Sequence, residues 1–151
     1  MSNNNVSELF DIKKSYAYAI IRFSGTTIIP EEITNLLEVA PTVTQNIGDS
    51  LKTISKSASW ASWAYRTTER ETEDTSCQLE ELVSIFKGKT STITYIKNKY
   101  TDCELTIYIV LNNHQNTLPA LTVLPEQIAF LSCIGVGLYF DIYHYPETEQ
   151  K

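Results

Sequence analysis

Hydrophobic and polar positions alternate with a period of two along four stretches of the chain, and each alternation predicts a strand. In residues 16–23, Ala17, Ala19, Ile21 and Phe23 fall on one face and Tyr16, Tyr18, Ile20 and Arg22 on the other, with Ser24-Gly25 as a turn signal. In residues 103–111, Leu105, Ile107, Ile109 and Leu111 oppose Thr106, Tyr108 and Val110. In residues 136–143, Val136, Leu138, Phe140 and Ile142 oppose Gly137, Tyr139, Asp141 and Tyr143. Residues 57–66 set Trp60 with Ser62 on one side and Ala61, Trp63 and Tyr65 on the other, so the two indoles point apart. A short edge strand is expected at residues 51–55, and residues 67–76, rich in acids and Thr, read as a solvated loop.

Elsewhere the period lengthens to that of a helix. Leu79, Leu82, Val83 and Phe86 stand at i, i+3, i+4 and i+7 over residues 77–86, with Gly88 placed to end the helix. Residues 90–100 fit either a helical stripe of Ile93, Ile96 and Tyr100 or a strand built on Ile93 and Tyr95; the stronger strand that follows favours a helix. Two further helices open alike. Pro30-Glu31-Glu32 leads Ile33, Leu36 and Leu37 over residues 30–39, and Pro125-Glu126 leads Ile128 and Leu131 over residues 125–134. Proline at the first helical position, with acids beside it, suits the positive end of the helix dipole. That chemistry accounts for Glu31, Glu32 and Glu126 without a catalytic role.

Each half of the chain thus reads strand, Pro-led helix, strand. Two β-α-β-like halves sharing one sheet predict an α+β fold, a mainly antiparallel sheet with helices on one face. The simplest plan is a ferredoxin-like variant with an inserted helical segment. One domain at residues 15–145 is expected, between a polar arm at 1–14 and a charged tail at 146–151.

Composition narrows the class. The 151 residues suffice for one domain with a core, and 42% hydrophobic with 20% charged residues argues against wholesale disorder. No apolar run is long enough for a membrane helix, and residues 1–8 (MSNNNVSE) lack the basic and apolar regions of a secretory leader, so a cytoplasmic location is expected. Cys77, Cys103 and Cys133 are odd in number and widely spaced, which predicts reduced, mostly buried thiols. The net charge of −6 disfavours a polyphosphate partner and is compatible with a basic protein.

The punctuation of the chain also carries a resemblance. A strand leading to Gly25, then Pro30-Glu31-Glu32-Ile33-Thr34 with Leu36-Leu37, Pro41-Thr42 and Gly48-Asp49, is followed by a Trp-bearing strand at Trp60 or Trp63. The Leu79-x-x-Leu82 helix and Gly137-Leu138-Tyr139-Phe140-Asp141-Ile142-Tyr143 complete a pattern that resembles the bacterial Domain of Unknown Function 4279 family over residues 15–145. The approach to the Trp strand, Ser55-Lys56-Ser57-Ala58-Ser59, departs from the Gly expected there. The resemblance implies no activity, catalytic residue or cofactor.

Candidate chemistry is sparse. His114 and His144 are the only histidines, and a buried Cys133 beside an incidental His144 outweighs a nucleophile–base pair. Asp141-x-Tyr143-His144 is thin for a metal site, and Gly135-x-Gly137 runs into a strand where a phosphate loop would need a helix. No cofactor or metal is expected. The tyrosines are the stronger signal: Tyr16, Tyr18, Tyr108, Tyr139 and Tyr143 all fall opposite the aliphatic faces of their strands. Stacking of RNA bases on such a face conflicts with the acidic charge, whereas protein contact suits tyrosine. The leading expectation is a non-enzymatic cytoplasmic protein-binding module, an inhibitor or immunity-type protein that masks a basic partner. Those five tyrosines would make contact, and Glu69, Glu71, Glu73 and Asp74 would steer; neither nucleic acid nor membrane is expected as a partner. The alternative is a small-molecule-binding protein or enzyme whose pocket, between the Trp strand and residues 41–56, is lined by Asp49, Trp60, Trp63 and Arg66.

Overall fold

The computed structural model describes residues 14–145; the expected arm and tail, apart from Lys14, lie outside the described residues. β1 (Tyr16–Gly25) is central. It pairs antiparallel with β3 (Ala61–Arg66) on one side and with β5 (Glu104–Asn113) on the other. β2 (Val43–Gln45) closes one edge against β3, and β6 (Leu138–His144) closes the other, parallel to β5. The two-residue β4 (Arg70–Glu71) resumes the line of β3 along the start of β1. The sheet is open, with order β2-β3-β1-β5-β6.

Each Pro-led helix joins two parallel strands. α4 (Pro125–Ile134) links the neighbours β5 and β6, and α1 (Pro30–Leu37) links β1 to β2, with β3 lying between those strands. α2 (Ser76–Phe86) and α3 (Thr90–Lys99), joined by a 3-10 turn at Lys87–Lys89, form the segment inserted between the halves. The α+β expectation therefore holds, and residues 90–99 are helical.

The core is one cluster on one side of the sheet. Ala19, Ile21 and Phe23 of β1 and Ile107 and Ile109 of β5 meet Ile33 and Leu37 of α1, Leu82 and Phe86 of α2, Ile93 and Ile96 of α3, and Phe130 and Ile134 of α4. Strand period two gives all helices the same sheet face to cover, and leaves the other face without a helix.

Several local expectations change. Residues 51–55 form turns tied by a single Ser50–Ser57 bridge, and the edge strand is Val43–Gln45. Residues 67–76 expose positions 68–71 and 73 as expected, but the segment is also fastened to the sheet by buried Thr67, Thr72 and Thr75. The Ala19 N–H donates to Thr67 Oγ1 at 2.8 Å, the Thr67 N–H donates to the Ala19 carbonyl at 2.9 Å, and the Thr72 N–H donates to the Ser15 carbonyl at 2.9 Å. Cys77 and Cys133 are exposed, and only Cys103 is partly covered, its thiol pushed up to about 11 by burial.

The two Pro-led helices do not pack alike. In α1, Pro30, Ile33 and Leu37 face the core. In α4, Gln127, Phe130, Leu131 and Ile134 do, while Ile128, the counterpart of Ile33, is 55% exposed. Counted from the proline, the buried stripe is turned by about 140° around the helix axis. Gln127 explains the difference: its Oε1 accepts the Leu124 N–H at 2.8 Å, and its Nε2 donates to the Ser76 carbonyl at 2.9 Å, which turns it inward against α2.

The end of β1 is clamped by Asp102. Its carboxylate accepts the N–H and hydroxyl groups of both Thr26 and Thr27, with the Thr26 Oγ1 at 2.6 Å. Gly25 permits the approach, since a Cβ there would lie 2.9 Å from the Asp102 carbonyl oxygen. A second tie joins α1 to the end of α3: Glu32 pairs with Lys99 and accepts the Tyr100 hydroxyl. Burial and that bond push the Tyr100 phenol up to about 12, so it remains the donor.

Two outcomes follow. Ile33→Ala should cost about 2–5 kcal/mol in chemical denaturation, and Ile128→Ala within about 0.5 kcal/mol; equal losses would mean that the helices share one inward phase. The Thr26 and Thr27 hydroxyls hold the Asp102 carboxyl well below the usual aspartate range, so its proton affinity is lower folded than unfolded. The stability this supplies is complete above the ordinary aspartate value of about 4 and is lost as pH falls below it. Melting temperature should therefore fall less on acidification in Asp102→Asn than in the parent; parallel curves would remove Asp102 from the pH response.

Candidate binding face

The helix-free face of the sheet is built by the even-numbered residues of β1 and their partners. Tyr16, Tyr18, Ile20 and Arg22 face Asn112, Val110, Tyr108 and Thr106 of β5. Tyr139, Asp141 and Tyr143 of β6 lie beside Tyr108, Val110 and Asn112. On the other flank, Arg66 and Ala64 of β3 lie beside Ile20 and Arg22. The five expected tyrosines thus share one face, and Tyr16, Tyr139 and Tyr143 are exposed. The Tyr108 and Tyr139 rings stand 5.4 Å apart between centroids.

The arginines are held by this aromatic surface. The Arg66 guanidinium carbon lies 4.4 Å from the Tyr18 ring centre, and that of Arg22 lies 5.8 Å from the Tyr108 ring centre. A guanidinium held over a ring face is attracted by the ring while its N–H groups can still serve a further acceptor. Neither arginine forms an ion pair among the described residues, where the pairs are Lys14–Glu71, Arg70–Glu81 and Lys99–Glu32.

Beside them the face is concave. Residues 46–60 rise next to β2 and β3 and enclose a cleft of about 860 Å³ whose lining includes Tyr18, Ile20, Arg22, Asp49, Trp60 and Arg66. The wall is fixed by its turn. Gly48 adopts a positive φ of 88°, the Asp49 carboxylate accepts the Asn46 N–H at 2.6 Å, and the Gly48 and Ala58 N–H groups close a reciprocal pair with the carbonyls of Ala58 and Asp49. Trp60 is 45% exposed at the rim, and Gln45 Nε2 donates to its carbonyl at 3.0 Å.

Trp63 does not belong to this cleft, and here the expected pocket needs correcting. It is fully buried on the opposite face, edge-on to Phe23 and Phe86, with its Nε1–H donating to Thr34 Oγ1 at 3.0 Å. Period two along β3 makes this unavoidable, because Trp60 and Trp63 are three residues apart. Asp49, Trp60 and Arg66 do meet. Arg22, Ile20 and Lys52 join them; Arg22 was legible as a strand-borne base, but the fold of residues 46–60 that brings Lys52 over the sheet was not.

The acidic residues divide. Glu71 pairs with Tyr16 across β4–β1, and Glu69 accepts Asn112 Nδ2 at 3.1 Å, so both sit at the Tyr16 end of the open face. Lys14 shares the charge of Glu71 at 3.1 Å. Asp74 instead starts α2, where the Ser76 N–H donates to its carboxylate at 2.9 Å and holds that carboxyl below its usual range. Glu73 is tied through its backbone, its carbonyl accepting the Ala120 N–H at 2.9 Å.

His144 Nδ1 meets Asn113 Nδ2 at 3.2 Å, whereas Cys133 lines a different cleft between α2 and α4. Among the described residues no group of three or more His, Cys, Asp or Glu is placed to hold a metal, and no helix is long and apolar enough to cross a membrane.

The family model described as Domain of unknown function (DUF4279) matches residues 14–145. The chain belongs to that family. No curated protein and no solved structure matches it. For this DUF4279 chain the matched span takes in every strand and helix described above, including both walls of the cleft.

The two indoles provide a direct check on this geometry. Iodide should quench Trp60 readily and leave Trp63 untouched, so Trp60→Phe should remove nearly all the quenchable emission; comparable quenching of both indoles would contradict the opposed faces.

Proposed function

We propose that the chain is a non-enzymatic protein-binding module acting in the cytoplasm, with the helix-free sheet face as its contact surface. The observation that carries this reading is the concentration of five tyrosines, Trp60 and two arginines lying over tyrosine rings on a face that no helix of the described chain covers. Tyrosine, tryptophan and arginine dominate the energetics of protein interfaces because they bury large area at low entropic cost. Glu69, Glu71 and Asp141 place negative charge at the Tyr16–Tyr143 end, which suits a partner with basic groups there, as an inhibitor or immunity-type protein would have.

A second reading, a small-molecule-binding protein or enzyme, is favoured by the cleft alone, since 860 Å³ lies within the range of ligand sites. The continuity of that cleft with the tyrosine surface through Arg22 and Tyr18 favours the first.

A Tyr139→Ala/Tyr143→Ala chain tests it. Wild type should recover a stoichiometric protein from native lysate after crosslinking, and the variant should lose it while keeping its melting temperature. Equal recovery by the two, or no protein with wild type, would overturn the proposal.

A further inference from the structure

The charge of the cleft is opposite to that of the chain. Arg22, Arg66 and Lys52 line it with a single carboxylate, Asp49, in a molecule of net charge −6. That carboxylate is already engaged by the Asn46 N–H within its own turn. Screening at physiological salt acts over about 8 Å, so a group seated in the cleft feels its cations more strongly than the acids elsewhere. The nearest acids stand outside the lining: Glu71 is opposite Tyr16, two residues along β1 from Tyr18, and Glu104 is two residues along β5 from Thr106, the partner of Arg22.

The lining is also mixed in a defined way. Ile20 and Ala64 make an apolar floor, Trp60 an aromatic rim, and the guanidiniums of Arg22 and Arg66 sit on Tyr108 and Tyr18. Guanidiniums match carboxylates, which they bind through two parallel hydrogen bonds. Trp60 and Ile20 match an apolar side chain between such carboxylates. The cleft is continuous with the tyrosine face, because Arg22 reaches from its lining to the Tyr108 ring.

Resting on the protein-binding reading, we propose that this cleft receives an acidic peptide segment of the partner: carboxylates on Arg22 and Arg66, with an apolar side chain against Trp60. The partner surface is then bipolar. Its acidic segment fills the cleft, and its basic groups face Glu69, Glu71 and Asp141.

A random heptapeptide library selected on the immobilised full chain tests the assignment. Wild type should enrich peptides with two or more Asp or Glu and an apolar residue, and Arg22→Glu/Arg66→Glu should not. A fluorescein-labelled winner should bind the double variant about tenfold or more weakly, and Arg22→Gln/Arg66→Gln should show the same loss if charge reversal disturbs the fold. Absence of acidic enrichment overturns the inference. Tighter binding of citrate or inorganic phosphate than of any selected peptide assigns the cleft to a small anion and also overturns it. The two proposals fail separately: peptides that depend on Tyr139 and Tyr143 but carry no acidic bias would leave the sheet face as the contact surface. Failure of the Tyr139→Ala/Tyr143→Ala test would remove both.

Discussion

The buried indole of Trp63 is the point on which the sheet and its covering layer both depend. It meets Phe23 of β1 and Phe86 of α2 edge-on and donates to Thr34 of α1, so one side chain joins β3 to three other elements. Its volume also fixes the register of β3. A slip of one residue would expose the indole and throw Ala64 and Arg66 into the core, at a cost no other contact of that short strand offsets. Holding Trp63 inside is therefore what places Trp60, Ala64 and Arg66 on the open face. The core contact and the cleft are two consequences of one alternation.

Electrostatics sort the molecule at a finer scale than its net charge. The carboxylates of Glu32, Asp74 and Asp102 are occupied in holding the fold: Glu32 ties α1 to the end of α3, Asp74 starts α2, and Asp102 clamps the end of β1. An acidic composition thus arises partly from structural carboxylates, and it says little about the surface a partner meets. On that surface acids gather at the Tyr16 end, and cations gather where residues 46–60 fold over β2 and β3.

The likeness of the two Pro-led helices is a likeness of helix starts. Proline at the first position and an acid beside it recur because the backbone geometry and dipole of any helix start favour them. Packing is decided further along, by Gln127 in α4 and by Ile33 and Leu37 in α1, and those stripes lie on different sides of the shared pattern. Ile128 was the expected inward residue and is exposed, because a polar side chain with two specific partners outweighed an apolar neighbour in setting the helix rotation.

By itself the sequence determined the alternation of each long strand, the helical stripe of α2, the Pro-led starts and the tyrosines' common side. All of these are local consequences of period and propensity, which need no knowledge of neighbours. The parallel β5–β6 pair, the fastening of residues 67–76 by buried threonines, and the Asp102 clamp required tertiary structure, since each joins residues far apart in the chain. The cleft belongs to the same class. Asp49, Trp60 and Arg66 were legible as candidates, but only the packing of residues 46–60 against the sheet set them beside Arg22 and Lys52, and only burial removed Trp63 from their company.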